Sequence, residues 1–444
     1  MPIAAVPQYL GQDFSAASPG LRFGMYLPVW TNRQDQEKEV NKRAQAKSHE
    51  GKEVADLLPR QGMDAAIQIL CKKERNPLPG LWDKNKFAAD AAWRQIATLT
   101  TEDQKQNQAL VHRQQHVAFS LGNERVLTIM AQTIAPFTTG LGNEHPLENG
   151  FAFLNPYGLP YLPGSGVKGV LRQAARELVS GEWGETRGWT NDVVTALFGR
   201  QGQDGDTDHL RGALTFWDVI PQIKGDHLHV EIMTPHQTHY YQEDAKKGAG
   251  SVTPHDSGSP TPISFLTVPP DSGFTFHVQC DLALLKCTAS KLAENEQWKK
   301  LLETAFTHAF EWLGFGAKTA VGYGAMKEDA QAAARAQAQE AERLAAEERA
   351  KTLAQMTPQG QQIETLRRAY EDHAKQFSKH STNSDLYQRA TRLVKTALQG
   401  TDWNADDKTK LADMLEEWLP KVIAPWDAKE QRKKLQLAQL RGAA

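Results

Sequence analysis

Three features of the sequence predict an α+β fold, with a ferredoxin-like (RRM-like) core, a helical N-terminal insertion and an all-helical C-terminal extension. From residue 125 to 327, β-prone and helix-periodic stretches follow in the order strand, helix, strand, strand, helix, strand. Within that order, "GFTFHVQCDLAL" puts Phe274, Phe276, Val278, Cys280 and Leu282 on one side, with Thr275, His277, Gln279 and Asp281 on the other. Composition also changes twice, once near residue 112 and once after residue 328.

Taken in order, residues 1–32 contain a predicted strand, "LRFGMYLPVW". Residues 33–112 are polar and helix-prone and read as an insertion. The core is assigned to 113–328: "RVLTIMAQTI" and "GALTFWDV" are strand candidates. Trp298, Leu301, Leu302, Ala305, Phe306, Ala309 and Leu313 form the apolar stripe of a helix. Irregular insertions are expected at about 181–210 and 236–262. Residues 329–356 are Ala-rich with balanced charge, including a Glu347 to Lys351 pair, and lack a leucine seam, so they read as an exposed spacer helix. Thr357-Pro358 suits a fresh helix start. Ile363, Leu366 and Tyr370, with Leu411, Met414, Leu415, Trp418 and Val422, predict a small helical bundle over 357–444. Trp403, Trp418 and Trp426 are either core of that bundle or a docking patch.

With 444 residues, 40% of them hydrophobic and 23% charged, the chain is long enough to bury a large core and make two or three domains. No leader and no apolar run of membrane-spanning length is evident, which predicts a cytoplasmic protein with no membrane partner. Cys71, Cys280 and Cys287 form neither an even disulfide set nor a C-x-x-C pair. The net charge of −2 gives no global case for a polyanionic partner, and residues 113–328 carry 17 Lys and Arg against 23 Asp and Glu. Any nucleic-acid site there must be a local basic track.

One such track is "LPGSGVKGVLRQAAR", residues 162–176. It is not a Walker loop, because Lys168 is followed by Gly169 rather than by a hydroxyl that reaches magnesium. Ser165 is a candidate cap, and Val167, Val170, Leu171, Ala174, Ala175 and Leu178 repeat as in a helix. The expectation is a helix with a bare N-terminus, open to an anion, and with Lys168, Arg172 and Arg176 in one row along it. A solvated basic stripe is the alternative.

The loop "GFGAKTAVGYG", with Gly314, Gly316, Gly322 and Gly324 between the last helix and last strand of the core, resembles the signature loop of the RAMP superfamily, RNA-binding proteins of CRISPR systems. "GLGNEHPLENGFAFLNPYGLPYLPGSGVKGVLR" (140–172), "GALTFWDVIP", "IMTPHQTHYY" and "PISFLTV" are similar to the sixth-subunit family of the Cmr complex, the type III-B effector. Gly166 departs from that pattern, standing where the family usually has a second serine. The resemblance covers roughly residues 113–327.

It implies a non-catalytic subunit that holds the 3′ part of a guide RNA and caps the RAMP backbone during target RNA recognition. The implied partners are guide and target RNA and other RAMP subunits, the repeated backbone subunit above all. No cofactor, metal or small-molecule substrate is implied. Phosphate contacts would come from Gly164, Ser165, Gly166, Lys168 and Gly169, extended by Arg172 and Arg176, and from Gly314, Gly316, Lys318, Thr319, Gly322 and Gly324. His236, His239, Tyr240 and Tyr241 open the 236–262 insertion, a candidate thumb whose rings would stack on unpaired bases. No RNP1-like stacking motif is present.

Two other readings compete. His227, His229, His236 and His239 are close enough in sequence to suggest a RAMP-type endoribonuclease using histidine or metal catalysis, though no paired carboxylate motif flanks them. Asp218 in "FWDV" sits in a strand-end context rather than on a nuclease loop. The chain as a purely protein-docking scaffold is the third reading.

Overall fold

The computed structural model describes residues 2–85, 88–200, 209–235, 237, 240, 253, 260, 262–375 and 379–442. They fall into two compact units, Met1–Ala333 and Ala334–Ala444.

The stretch 21–30, expected as a strand, is a correction. It begins inside the helix α1 (Pro19–Gly24), and only Trp30 makes isolated bridges, to Ile3 and Lys84. Pro19 at the first helical position presets the helical φ. Buried Arg22 then donates from Nε to the Ala17 carbonyl at 2.8 Å and lies 3.7 Å from Asp103, tying this turn to chain eighty residues on. A period-2 reading of apolar residues misses that tether. α2 (Arg33–Ala44) and α3 (His49–Cys71) share a small core of Val40, Val54, Ile67 and Leu70. α4 (Ala89–Ala97) sends Trp93 and Ile96 into the main core instead. α5 (Thr101–Leu121) starts at a reciprocal capping box between Thr100 and Asp103 and runs past residue 112.

β1 (Val126–Thr133) opens the sheet. A two-residue ladder of β2 (Phe153–Leu154) and β3 (Leu159–Pro160) leads into α6 (Gly164–Ser180). The described part of the 181–210 stretch, 181–200 and 209–210, is less irregular than expected, because α7 (Asn191–Phe198) buries Val194, Leu197 and Phe198 in the main core. β4 (Gly199–Arg200) and β5 (Leu210–Arg211) pair next, followed by β6 (Leu214–Phe216). β7 (His229–Met233) and β8 (Ile263–Thr267) form a separate antiparallel pair. β9 (Gly273–Cys280), α8 (Leu282–Ala293), α9 (Gln297–His308) and β10 (Met326–Glu328) complete the unit.

The four-stranded sheet has the order β10-β1-β9-β6 with every neighbour antiparallel. Ile129 faces Phe276 across β1 and β9, so Leu127, Ile129 and Ala131 share the core face with Phe274, Phe276 and Val278. The stripes of α6 and α9 close over that face: Val167, Leu171 and Ala175 from one, Trp298, Leu302 and Phe306 from the other. Phe276 stands edge-on to Phe306 at 5.3 Å, an aromatic contact of about 0.5–1.5 kcal/mol beyond burial. The opposite face carries Thr128, Met130 and Gln132 beside Thr275, His277 and Gln279, with no Phe, Tyr or Trp on its two central strands. It is not simply solvated. Thr275 and His277 are buried, and burial pushes the His277 imidazole down to about 4.

In the second unit and its lead-in, the helix Ala330–Ala354 has no buried residue, and Glu347 and Lys351 pair at 3.4 Å in solvent. Thr357 caps the next helix by accepting from the Gly360 N–H, with Pro358 at its first position. Ile363, Leu366, Tyr370, Leu411, Leu415 and Val422 form the bundle core, joined by Trp403. Trp418 and Trp426 are half-buried against it, which favours core over docking patch for all three tryptophans.

Candidate nucleic-acid interface

The N-terminus of α6 is not bare, a correction to the expectation. Gly164 is buried, and its N–H donates to Oδ1 of Asp218 at 2.7 Å, so the carboxylate just past β6 occupies the place a phosphate oxygen would take. The Asp218 carbonyl in turn accepts from Gln114 Nε2 at 2.7 Å. Pro163, not Ser165, is the cap residue, and no side chain of the helix's own entry turn caps it. Gly164 is glycine for a steric reason: a Cβ there would overlap the carbonyl oxygen of Phe216, where the helix crosses the strand end. Asp218 is therefore a helix-capping carboxylate.

Beyond this first turn the basic row is in place. Ser165 is exposed, Gly166 half-buried and Gly169 exposed, with open space around Gly169. Lys168 and Arg172 are half-buried and Arg176 is exposed. Arg172 Nη2 donates to the Gly199 carbonyl at 3.2 Å, whereas its Nε is buried without a hydrogen-bond partner. Burial, and then the neighbouring Arg176 charge, hold the Arg172 guanidinium below its usual range. Lys168 and Arg172 line a cavity of about 370 Å³ with Arg200, His209, Arg211 and Phe198. Among the described residues, none that lines it is acidic.

The glycine loop is organised differently. Ala317 N–H donates to the Thr138 carbonyl at 2.8 Å, Gly324 N–H to the Pro136 carbonyl at 2.8 Å, and Phe315 N–H to the Gly324 carbonyl at 2.9 Å. A Cβ at Gly324, whose φ is 69°, would overlap the Phe315 carbonyl oxygen. Thr319 begins a single 3₁₀ turn ending before Gly322. Lys318, itself left-handed at φ 60°, sets its ammonium 3.1 Å from Met233 Sδ and 5.5 Å from the centroid of Phe265. The lysine thus lies on the β7–β8 pair as a cation–π partner.

Residues 131–327 match the family model described as RAMPs, the RAMP superfamily. This segment is a RAMP domain. The chain is 26% identical over 249 residues to the CRISPR system Cmr subunit Cmr6 of Pyrococcus furiosus, covering 46% of this chain and 68% of that protein. A cryo-EM structure of the type III-B Cmr-beta bound to cognate target RNA contains a chain 18% identical, covering 66% of this chain and 95% of that one at a TM-score of 0.37. The crystal structure of Pyrococcus furiosus Cmr6 is 26% identical, covering 46% and 98% at a TM-score of 0.24.

Within the RAMP domain, Lys168 and Arg172 come together on one cavity, and Lys318 is not among its lining residues. Arg200, His209 and Arg211 belong to that cavity and are not part of the basic track expected from sequence. Their signal was faint: "FGR" and "LRG" flank a segment that reads as irregular, yet Gly199 pairs with Arg211 across β4 and β5. Of the thumb candidates, Tyr240 is exposed, and His236, His239 and Tyr241 lie outside the described residues. His227 Nδ1 meets Asp226 Oδ1 at 2.6 Å on the surface, and that contact lowers the Asp226 carboxyl below its usual range. His229 is exposed at the start of β7. Among the described residues, no group of three His, Cys, Asp or Glu is placed to hold a metal ion, and no helix is long and apolar enough to cross a membrane.

Proposed function

We propose that this chain is a non-catalytic RNA-binding subunit of a type III-B CRISPR effector, holding the 3′ part of the guide RNA through backbone contacts. In this reading residues 113–328 are the RNA-bearing core, built on a ferredoxin-like frame. The repeated backbone subunit is its principal protein neighbour, and target RNA reaches it already paired to the guide. The sheet order β10-β1-β9-β6, with α6 and α9 on one face, supports the frame. The observation that carries the function is the row Lys168, Arg172 and Arg176 on α6 of a RAMP domain whose total charge is negative. Cations concentrated on one helix face offer charge without base preference, which suits phosphate contact. Ser165, Gly166 and Gly169 border that row, and Thr319 and Gly322 would extend the contact along the glycine loop. Sequence reading then falls to pairing between guide and target.

Affinity purification of the tagged full chain from its native cells tests this. Repeat-plus-spacer RNAs should arrive with other RAMP proteins, and the purified chain should leave a repeat-containing RNA intact with or without divalent metal. A chain that emerges alone and RNA-free, or that cuts the RNA in a His236-dependent way, would sink the proposal.

A further inference from the structure

The cationic cavity beside α6 is more than part of a surface track. Two arginines from distant elements converge there on one glycine. Arg172 of α6 donates to the Gly199 carbonyl, and Gly199 is the register partner of Arg211 in the β4–β5 ladder. A Cβ at Gly199 would overlap the Leu210 carbonyl oxygen, so the tight pairing that brings Arg211 beside the helix requires glycine. Lys168, one helical turn before Arg172, completes a set of fixed charges on one wall.

Arg211 of this set is exposed and Lys168 half-buried, so the cost of lacking an anion falls on Arg172. Arg172 Nε is buried with no acceptor, a loss that a charged acceptor would reverse. The Arg172 guanidinium is held below its usual range by burial and by Arg176, the mark of a cation short of compensation. Among the described residues, the side chains of Lys168 and Arg211 make no ion pair, and no carboxylate lines the cavity. Guanidinium groups match phosphate oxygens in shape as well as charge. The volume, about 370 Å³, lies near the low end of the roughly 300–1,000 Å³ found for small-ligand sites. That is room for a nucleotide unit rather than for a phosphate alone.

We propose that this cavity is a nucleotide pocket, in which Lys168, Arg172 and Arg211 hold the phosphate of one nucleotide unit drawn out of the bound RNA strand. The proposal rests on the RNA-binding reading above and adds a discrete pocket to it. Its phosphate has two sources, an internal phosphodiester or a terminal phosphomonoester.

The test uses the full chain and a labelled twelve-nucleotide single-stranded RNA, about long enough to span a binding track, prepared with hydroxyl ends or with a 5′-phosphate. Binding is followed by fluorescence anisotropy across a salt series. Arg211→Gln should weaken binding on the order of tenfold and lower the salt slope by about 0.7, with Arg211→Lys recovering most of the loss. An equal loss for both RNAs assigns the pocket to an internal phosphodiester, and a loss confined to the phosphorylated RNA assigns it to a terminal phosphate. If Arg211→Gln binds both RNAs like the wild type while Arg176→Gln is weakened, the pocket is refuted and RNA binding stands. If the wild type binds neither RNA, the RNA-binding reading itself fails. The pocket is then judged with inorganic phosphate alone: a thermal shift present in wild type and absent in Arg211→Gln supports it, and no shift in either overturns it.

Discussion

Lys168 and Lys318 both sit in glycine-bearing turns of one RAMP domain, but the groups around them are committed in opposite ways. Around Lys168, a glycine carbonyl and arginine side chains frame a cavity that no carboxylate lines among the described residues. Around Lys318, the backbone N–H groups of Phe315, Ala317 and Gly324 are used by carbonyls of the fold, and the ammonium rests on Met233 and Phe265. Glycine serves shape in both places. What distinguishes an anion site from a packed turn is whether donors remain after the fold has satisfied itself.

Three experiments press on this contrast. The largest effect is expected from Gly324→Ala, which adds a Cβ into the Phe315 carbonyl at a positive φ. It should cost about 3 kcal/mol or more in denaturant unfolding of the chain, whereas Gly322→Ala, with open space around it, should cost about 1 kcal/mol. Equal costs would mean the loop is not clamped as described. Next comes charge. Lys168→Glu should weaken binding of a single-stranded RNA by about tenfold and flatten its salt dependence, while Lys318→Gln should change affinity less than about threefold. A reversed ranking in an anisotropy titration would move the RNA path to the glycine loop. The smallest effect belongs to Asp218→Asn. Losing the charged cap of α6 should destabilise by about 1 kcal/mol, and removing its negative charge should improve RNA affinity by about twofold. Unaltered affinity alongside the expected loss of stability would place the RNA away from that helix end.

Regular alternation and helical stripes made much of the core readable. β1 and β9 and the stripe from Trp298 to Ala309 are set by one-sided burial, which leaves a periodic trace. The stretch after Pro19 was not readable, because Arg22 ties it to the carbonyls of Gln95 and Thr98 and to Asp103, far along the chain. For the site, the α6 row was legible as i, i+4 spacing. Asp218 as its cap was not, since 54 residues separate the carboxylate from the N–H it accepts. The cavity was hidden for the same reason: Arg211 meets Arg172 only through a two-residue ladder at Gly199.

The second face of the sheet, with no Phe, Tyr or Trp on β1 and β9, reaches beyond the fold. The one ring on that face of β1 and β9, the His277 imidazole, is buried and packed against Trp217, so these strands offer a base no open platform. On the proposed reading, an RNA would be gripped by its sugar and phosphate outline, the part that every transcript shares. New guides could then enter the repertoire, and old ones leave it, without selection ever having to revise a residue of the protein proposed to carry them.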